Sequence, residues 1–166
     1  IPRSIAAFCP PLKPLTNKIL DSASKVFNKA SIEGEAMPHI QIDYSPNLEA
    51  QLDIAGLCRC LRDAAAATGI LPLAGLRVRA TACTHVVIAD GNPDHAYLDI
   101  SLRLRAGRTV SEKARATAEI FAAAEGFCAQ VLASTSFMLS FEMRDIDPAF
   151  SPKISSIRRY LPGETQ

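Results

Sequence analysis

Met37-Pro38-His39, followed at once by the strand-like run Ile40-Gln41-Ile42-Asp43-Tyr44, is the stretch on which the reading of this chain turns. A strand beginning at Pro38 starts with a residue of unusual chemistry. The nitrogen of an internal proline is an amide whose lone pair is delocalised into the carbonyl. At the beginning of a chain the same nitrogen is a secondary amine, and a base. Were translation to start at Met37 and the methionine be removed, Pro38 would be a candidate catalyst; as an internal residue it is inert.

Outward from that strand, the chain reads as strand, helix, strand, repeated once. Asp53 is the expected N-cap of a helix running to Ala67, with Leu57, Leu61 and Ala64 at helical spacing and Gly69 as its stop. From Leu76 the period becomes two. Leu76, Val78, Ala80 and Ala82 fall on one face, and Arg77, Arg79, Thr81 and Cys83 on the other. Asp90-Gly91-Asn92-Pro93 is a turn. The second half opens with an alternating strand from Ala96 to Leu104, and Ala106-Gly107-Arg108 leads into a long helix expected from about Ser111 to Ser134. Its apolar stripe includes Ala114, Ile120, Phe121, Ala124, Cys128 and Val131. A last strand from Phe137 to Arg144 and a short terminal helix over Ile154 to Tyr160 complete the pattern.

Helical crossovers join parallel strands with a right-handed connection. Two βαβ units of similar size therefore predict an α+β fold: a four-stranded, mainly parallel sheet with both helices on one face. Ile40, Ile42, Phe141 and Met143 suggest apolar side chains on the second face as well, an expectation of oligomerisation sheet face to sheet face.

Composition bounds the function. At 166 residues the chain has one domain's worth of core, and its net charge of +1 favours neither nucleic acid nor an anionic membrane as partner. Residues 1–36 carry five Lys/Arg against three Asp/Glu, which leaves 18−5 = 13 against 17−3 = 14, or −1, for the remainder. No run of 18 apolar residues exists, so no transmembrane helix is expected. The five cysteines, Cys9, Cys58, Cys60, Cys83 and Cys128, read as reduced cytosolic thiols. His39, His85 and His95 lack ligand spacing, and no metal site is expected.

Residues 1–36 do not look like the rest. Pro2, Pro10, Pro11 and Pro14 break the opening, and Thr16 to Ala30 has the spacing of a short amphipathic helix. This leader is open to three readings: an upstream translated stretch or tag, a docking segment, or a targeting peptide. Residues 37–166 form the expected catalytic domain.

The duplicated βαβ pattern behind Met-Pro resembles the tautomerase superfamily, and within it the 5-carboxymethyl-2-hydroxymuconate Δ-isomerases. The resemblance is carried by Met37-Pro38-His39, by Ala67-Thr68-Gly69-Ile70-Leu71-Pro72-Leu73-Ala74-Gly75-Leu76-Arg77, and by Ala89-Asp90-Gly91. Ala106-Gly107-Arg108 and Leu139-Ser140-Phe141-Glu142 extend it, so that it spans about Met37 to Tyr160. It implies a cytoplasmic homotrimer that uses no cofactor, with an amino-terminal proline as catalytic base, and it places two family arginines on Arg77 and Arg108. The implied substrate is a small polycarboxylate dienol of homoprotocatechuate (4-hydroxyphenylacetate) degradation, converted to a conjugated ketone.

The residue types suit that chemistry. A base working near neutral pH needs a pKa near that pH. A terminal amine lies near 8 and is lowered further by an apolar site and adjacent cations. Arginines hold carboxylates in bidentate pairs and stabilise growing enolate charge. Pro38 is thus the expected proton shuttle, Arg77 and Arg108 the expected substrate-binding and polarising residues, and Arg79 a candidate third carboxylate contact. The chain departs from the family pattern in one respect: as written, Pro38 is not terminal. A generic tautomerase of another substrate, and a catalytically silent trimeric binding protein in which Pro38 stays internal, are the competing readings.

Overall fold

The computed structural model describes residues 37–162. The expected leader helix over 16–30 and Cys9 lie outside the described residues. Strand β1 is His39–Tyr44, helix α1 Ile54–Ala67, β2 Arg77–Ala82, β3 Ala96–Arg105, α2 Val110–Phe127, α3 Ala129–Ser134 and β4 Phe137–Ile146. The strands form one sheet in the order β2-β1-β3-β4. Each βαβ unit contributes a parallel pair, β1 with β2 and β3 with β4, and the two units join antiparallel through β1 and β3. The sheet is therefore mainly parallel, as the crossovers require, with an antiparallel seam that the crossover rule leaves unspecified.

Local chemistry explains where the elements begin and end. Asp53 caps α1 by accepting from the Gly56 N–H at 2.8 Å, which satisfies one of the orphan donors of the first turn. Gly69, at φ 74°, takes the left-handed position just past the helix, where a Cβ would be strained. Thr109 and Glu112 form a reciprocal capping box at the start of α2. The long helix expected to reach Ser134 is interrupted: Cys128, at φ −88° and ψ 2°, separates α2 from α3. The Cys128 N–H still bonds the Ala124 carbonyl at 2.9 Å, so the apolar stripe through Cys128 and Val131 continues onto the same core. The terminal segment forms only a single 3-10 turn, Ile157–Tyr160.

Both helices cover one face of the sheet. Ile40 and Ile42 of β1, Leu98, Ile100, Leu102 and Leu104 of β3, Leu57 and Leu61 of α1 and Ile120 of α2 form a core with almost no exposure. The second face corrects one expectation. Register aligns Ile40 with Leu102 and Met143, and Ile42 with Ile100 and Phe141. All four residues read as apolar on two faces therefore lie on the helix-covered side, because a two-residue period and an in-phase register put them there together. The open face is polar.

That open face is graded along the strands. Arg77, His39, Arg103 and Arg144 stand in one row across the sheet, Arg79, Gln41, Ser101 and Glu142 in the next, and Thr81, Asp43, Asp99 and Ser140 in the third. Cations dominate the first row and carboxylates the third. Among the described residues, no helix is long and apolar enough to cross a membrane.

Candidate active site

Topology gathers the predicted residues at one end of the sheet. Pro38 immediately precedes β1, whose first residue pairs with Arg77, the first of β2, and with Arg103 near the end of β3. The loop carrying Arg108 leaves β3 at this same end, as does the segment that follows β4. Pro38 is fully buried, and its carbonyl accepts the Arg77 N–H at 3.1 Å. Main-chain pairing alone thus locks the candidate base beside the candidate cation.

The Arg77 side chain lies on the open face, where its Nη2 donates to Nε2 of His39. Burial, followed by the positive charges of Arg77, Arg103, Arg79 and Lys153, lowers the His39 pKa to about 4. At neutral pH the imidazole is therefore uncharged and keeps a lone pair for the guanidinium. His39 thus stands beside Arg77 as an acceptor for its guanidinium.

Arg77 opens into a cavity of about 280 Å³ lined also by Ala74, Gly75, Lys153 and residues 154–157. The floor is the tight turn Leu73–Gly75, whose Ala74 and Gly75 are buried. The far wall is the segment after β4, held down by Arg105, whose Nη2 donates to the Ser151 carbonyl at 2.9 Å.

Arg108 is placed differently. Its Nη1 donates to the Arg105 carbonyl at 3.1 Å and its Nη2 to the Ile70 carbonyl at 2.9 Å, which ties the two helix-flanking loops together. It lines a second cavity of about 450 Å³ with Gly69, Ile70, Pro72 and Glu112. The structure thus brings Pro38, Arg77 and Arg108 to one end of the sheet but opens the two arginines into separate hollows. Arg79 sits one row further along the open face, donating to Oε1 of Gln41 at 2.7 Å, and does not line the Arg77 cavity. Lys153 carries no signal in the sequence pattern: it lies in the irregular Ser-Pro-Lys-Ile stretch, and only the fold puts it beside Arg77.

The opposite end holds another polar cluster. His95 Nε2 pairs with Oδ1 of Asp90 at 2.8 Å, and Nδ1 with the Ser136 hydroxyl at 2.7 Å. The main-chain N–H of Ala96 bonds the Ser136 carbonyl at 2.8 Å, so the trio pins the Asp90 turn to the start of β4. Hydrogen bonds from the Asn92 N–H and from His95 hold the Asp90 carboxyl below its usual range.

Comparison with known proteins agrees with this architecture. The profile of the 5-carboxymethyl-2-hydroxymuconate isomerase family matches residues 38–161, and the chain belongs to that family. It is similar to the Escherichia coli 5-carboxymethyl-2-hydroxymuconate Delta-isomerase, at 31% identity over 121 residues, covering 73% of this chain and 96% of the relative. Two solved structures superpose closely. A 5-carboxymethyl-2-hydroxymuconate delta-isomerase matches with a TM-score of 0.72 and 29% identity over 78% of this chain and 96% of its own. A 5-carboxymethyl-2-hydroxymuconate isomerase from Deinococcus radiodurans R1 matches with a TM-score of 0.70 and 29% identity, over 76% and 96%.

Proposed function

We propose that this domain, with its chain begun at Pro38, is a cofactor-independent isomerase that converts 5-carboxymethyl-2-hydroxymuconate to its conjugated keto form, with the nitrogen of Pro38 as the base. The observation that carries this reading is the coincidence of the first residue matched by the family, Pro38, with the basic end of the sheet. The enol O–H gives up its proton to the prolyl amine, the oxygen becomes a carbonyl, and the electron pair shifts along the diene. A carbon at its far end then takes a proton from the prolyl ammonium, so the reaction is a net isomerisation.

The cations have defined work in this scheme. A fixed guanidinium stabilises the dienolate without needing to reorganise, and it disfavours protonation of a nearby amine, which keeps the base free at neutral pH. Arg77 performs both tasks. Arg108, by tying the loops after α1 and β3, holds the rim of the site and offers a second carboxylate contact; Arg79 is a more distant one. The working form is a cytoplasmic homotrimer, as the family resemblance implies.

The reading requires a free amine at Pro38. Absorbance assays with 5-carboxymethyl-2-hydroxymuconate should show turnover by a chain that begins at Pro38 and none by the chain that begins at Ile1. Equal turnover by both would overturn the amine mechanism.

A further inference from the structure

One wall of the Arg77 cavity belongs to no long element: residues 153–157, which run from beyond the turn Pro148–Phe150 into the turn Ile157–Tyr160. Ile154 is fully exposed and Ile157 half-exposed, so apolar burial does little to fix this wall. Polar bonds fasten the stretch that leads into it. Ser151 Oγ donates to the Asp147 carbonyl at 2.7 Å, which closes the turn after β4, and Nη2 of Arg105 donates to the Ser151 carbonyl at 2.9 Å. We propose that Arg105 is a positioning residue of the ligand site: it sets the wall of the Arg77 cavity where it closes on the substrate, and touches no substrate itself. The proposal rests on the isomerase reading for the identity of the ligand.

Arg105 stands where the parts of the site meet. It ends β3, paired with Ile146 at the end of β4, and lies on the open face two residues beyond Arg103. Its carbonyl accepts from Nη1 of Arg108, whose Nη2 donates to the Ile70 carbonyl. Ile70 leads into the turn Leu73–Gly75 that forms the cavity floor. One residue thus joins the strand end, the approach to the floor and the approach to the wall. At the wall's far end the Ile157–Tyr160 turn lies against Leu73–Gly75. The Arg105 guanidinium is not offered to a ligand, because its Nε is shielded from solvent and its Nη2 is committed to Ser151. A charged donor bonds a carbonyl more strongly than a neutral one does. Segments with little buried apolar surface open locally at low cost, and a ligand held in the cavity favours the closed form by mass action.

Hydrogen exchange and titration calorimetry on the full chain, with 5-carboxymethyl-2-hydroxymuconate as the probe, test this. In the parent chain the ligand should slow exchange across residues 148–162. Arg105→Met should speed exchange of that segment by about 10-fold or more, change exchange in β1 far less, and weaken the ligand by about 10-fold. Arg105→Lys keeps the charge and a donor, and should restore most of both. Arg105→Gln serves the same purpose if the methionine variant does not fold. Unaltered affinity would overturn the assignment. So would weaker binding without faster exchange, since that is lost charge and not a displaced wall. No binding, or no slowing by the ligand, in the parent chain would overturn it too. The isomerase reading fails separately. A chain begun at Pro38 that binds the ligand, loses affinity on Arg105→Met and shows no turnover would refute the reaction and uphold the role of Arg105.

Discussion

The two ends of this sheet are built from the same strands and do opposite work. At the start of β1 and β2, cations crowd together: Arg77, Arg103 and Arg144 share a row with His39, and Lys153 lines the same cavity as Arg77. Two rows along, Asp43 and Asp99 face each other, and the turn beyond is closed by the Asp90–His95–Ser136 bonds. Like charges this close are destabilising in a sheet. At the first end the three arginines are exposed on the open face and Arg77 borders a cavity, whereas at the second end His95 bridges Asp90 and Ser136. The difference teaches that one open face, built from the same strands, can carry cations at one end and carboxylates at the other.

The comparison can be broken most severely at Arg77. In a chain begun at Pro38, Arg77→Ala should lower kcat/KM by about 10²–10³-fold, the usual loss on removing one preorganised stabiliser of growing negative charge; steady-state kinetics that hardly changed would deny the basic end its function. At the other end, His95→Ala should lower the urea midpoint of unfolding by releasing the Asp90 turn from the start of β4, a modest loss because the exposed Asp90 and Ser136 groups turn to water. Its turnover should stay at the parent level, and a large loss of turnover would show that the division into a chemical and a structural end is false.

Two smaller effects concern pH. His39 has a folded pKa of about 4, below the unfolded value near 6.5. The unfolded chain therefore binds the proton first, so stability is fully present above about pH 6.5 and is lost as pH falls toward 4. His39→Gln keeps an acceptor for Arg77 and cannot titrate; it should flatten the denaturation profile over that interval, and an unaltered slope would remove His39 from the account. The smallest effect is at Asp99, whose carboxyl is pushed up by burial, by Asp43 and by Glu142. A raised folded pKa means stability that is present in acid and lost as pH rises through the carboxylate range. Asp99→Asn should therefore raise the midpoint of unfolding at pH 7, by less than about 1 kcal/mol because the group is exposed and screened, and should give no gain near pH 3.

Much of the fold was legible because its signals are local. Asp53 and Gly69 bracket α1 by capping chemistry, and the alternation from Leu76 to Cys83 assigned the outward face of β2, with Arg77 and Arg79 on it as found. The helix break at Cys128 was not legible: the apolar stripe runs through it, and a single residue off helical geometry leaves no compositional trace. The supposed second apolar face failed for a related reason. Ile40 and Met143 lie in strands that do not pair with each other, and whether they share a face depends on register carried through β3, from Ile40 to Leu102 and from Leu102 to Met143.

The sequence by itself determined the two βαβ units, the polar edge of β2 and the resemblance that singles out Pro38, Arg77 and Arg108, since each rests on residues adjacent in the chain. Tertiary structure decided the antiparallel seam between the units, the charge gradient along the open face, the separation of Arg108 from the Arg77 cavity and the arrival of Lys153 within it. Those features arise from pairing register and from an irregular tail whose Ser151 carbonyl accepts a hydrogen bond from Arg105. No periodicity encodes either, because both are contacts between distant parts of the chain.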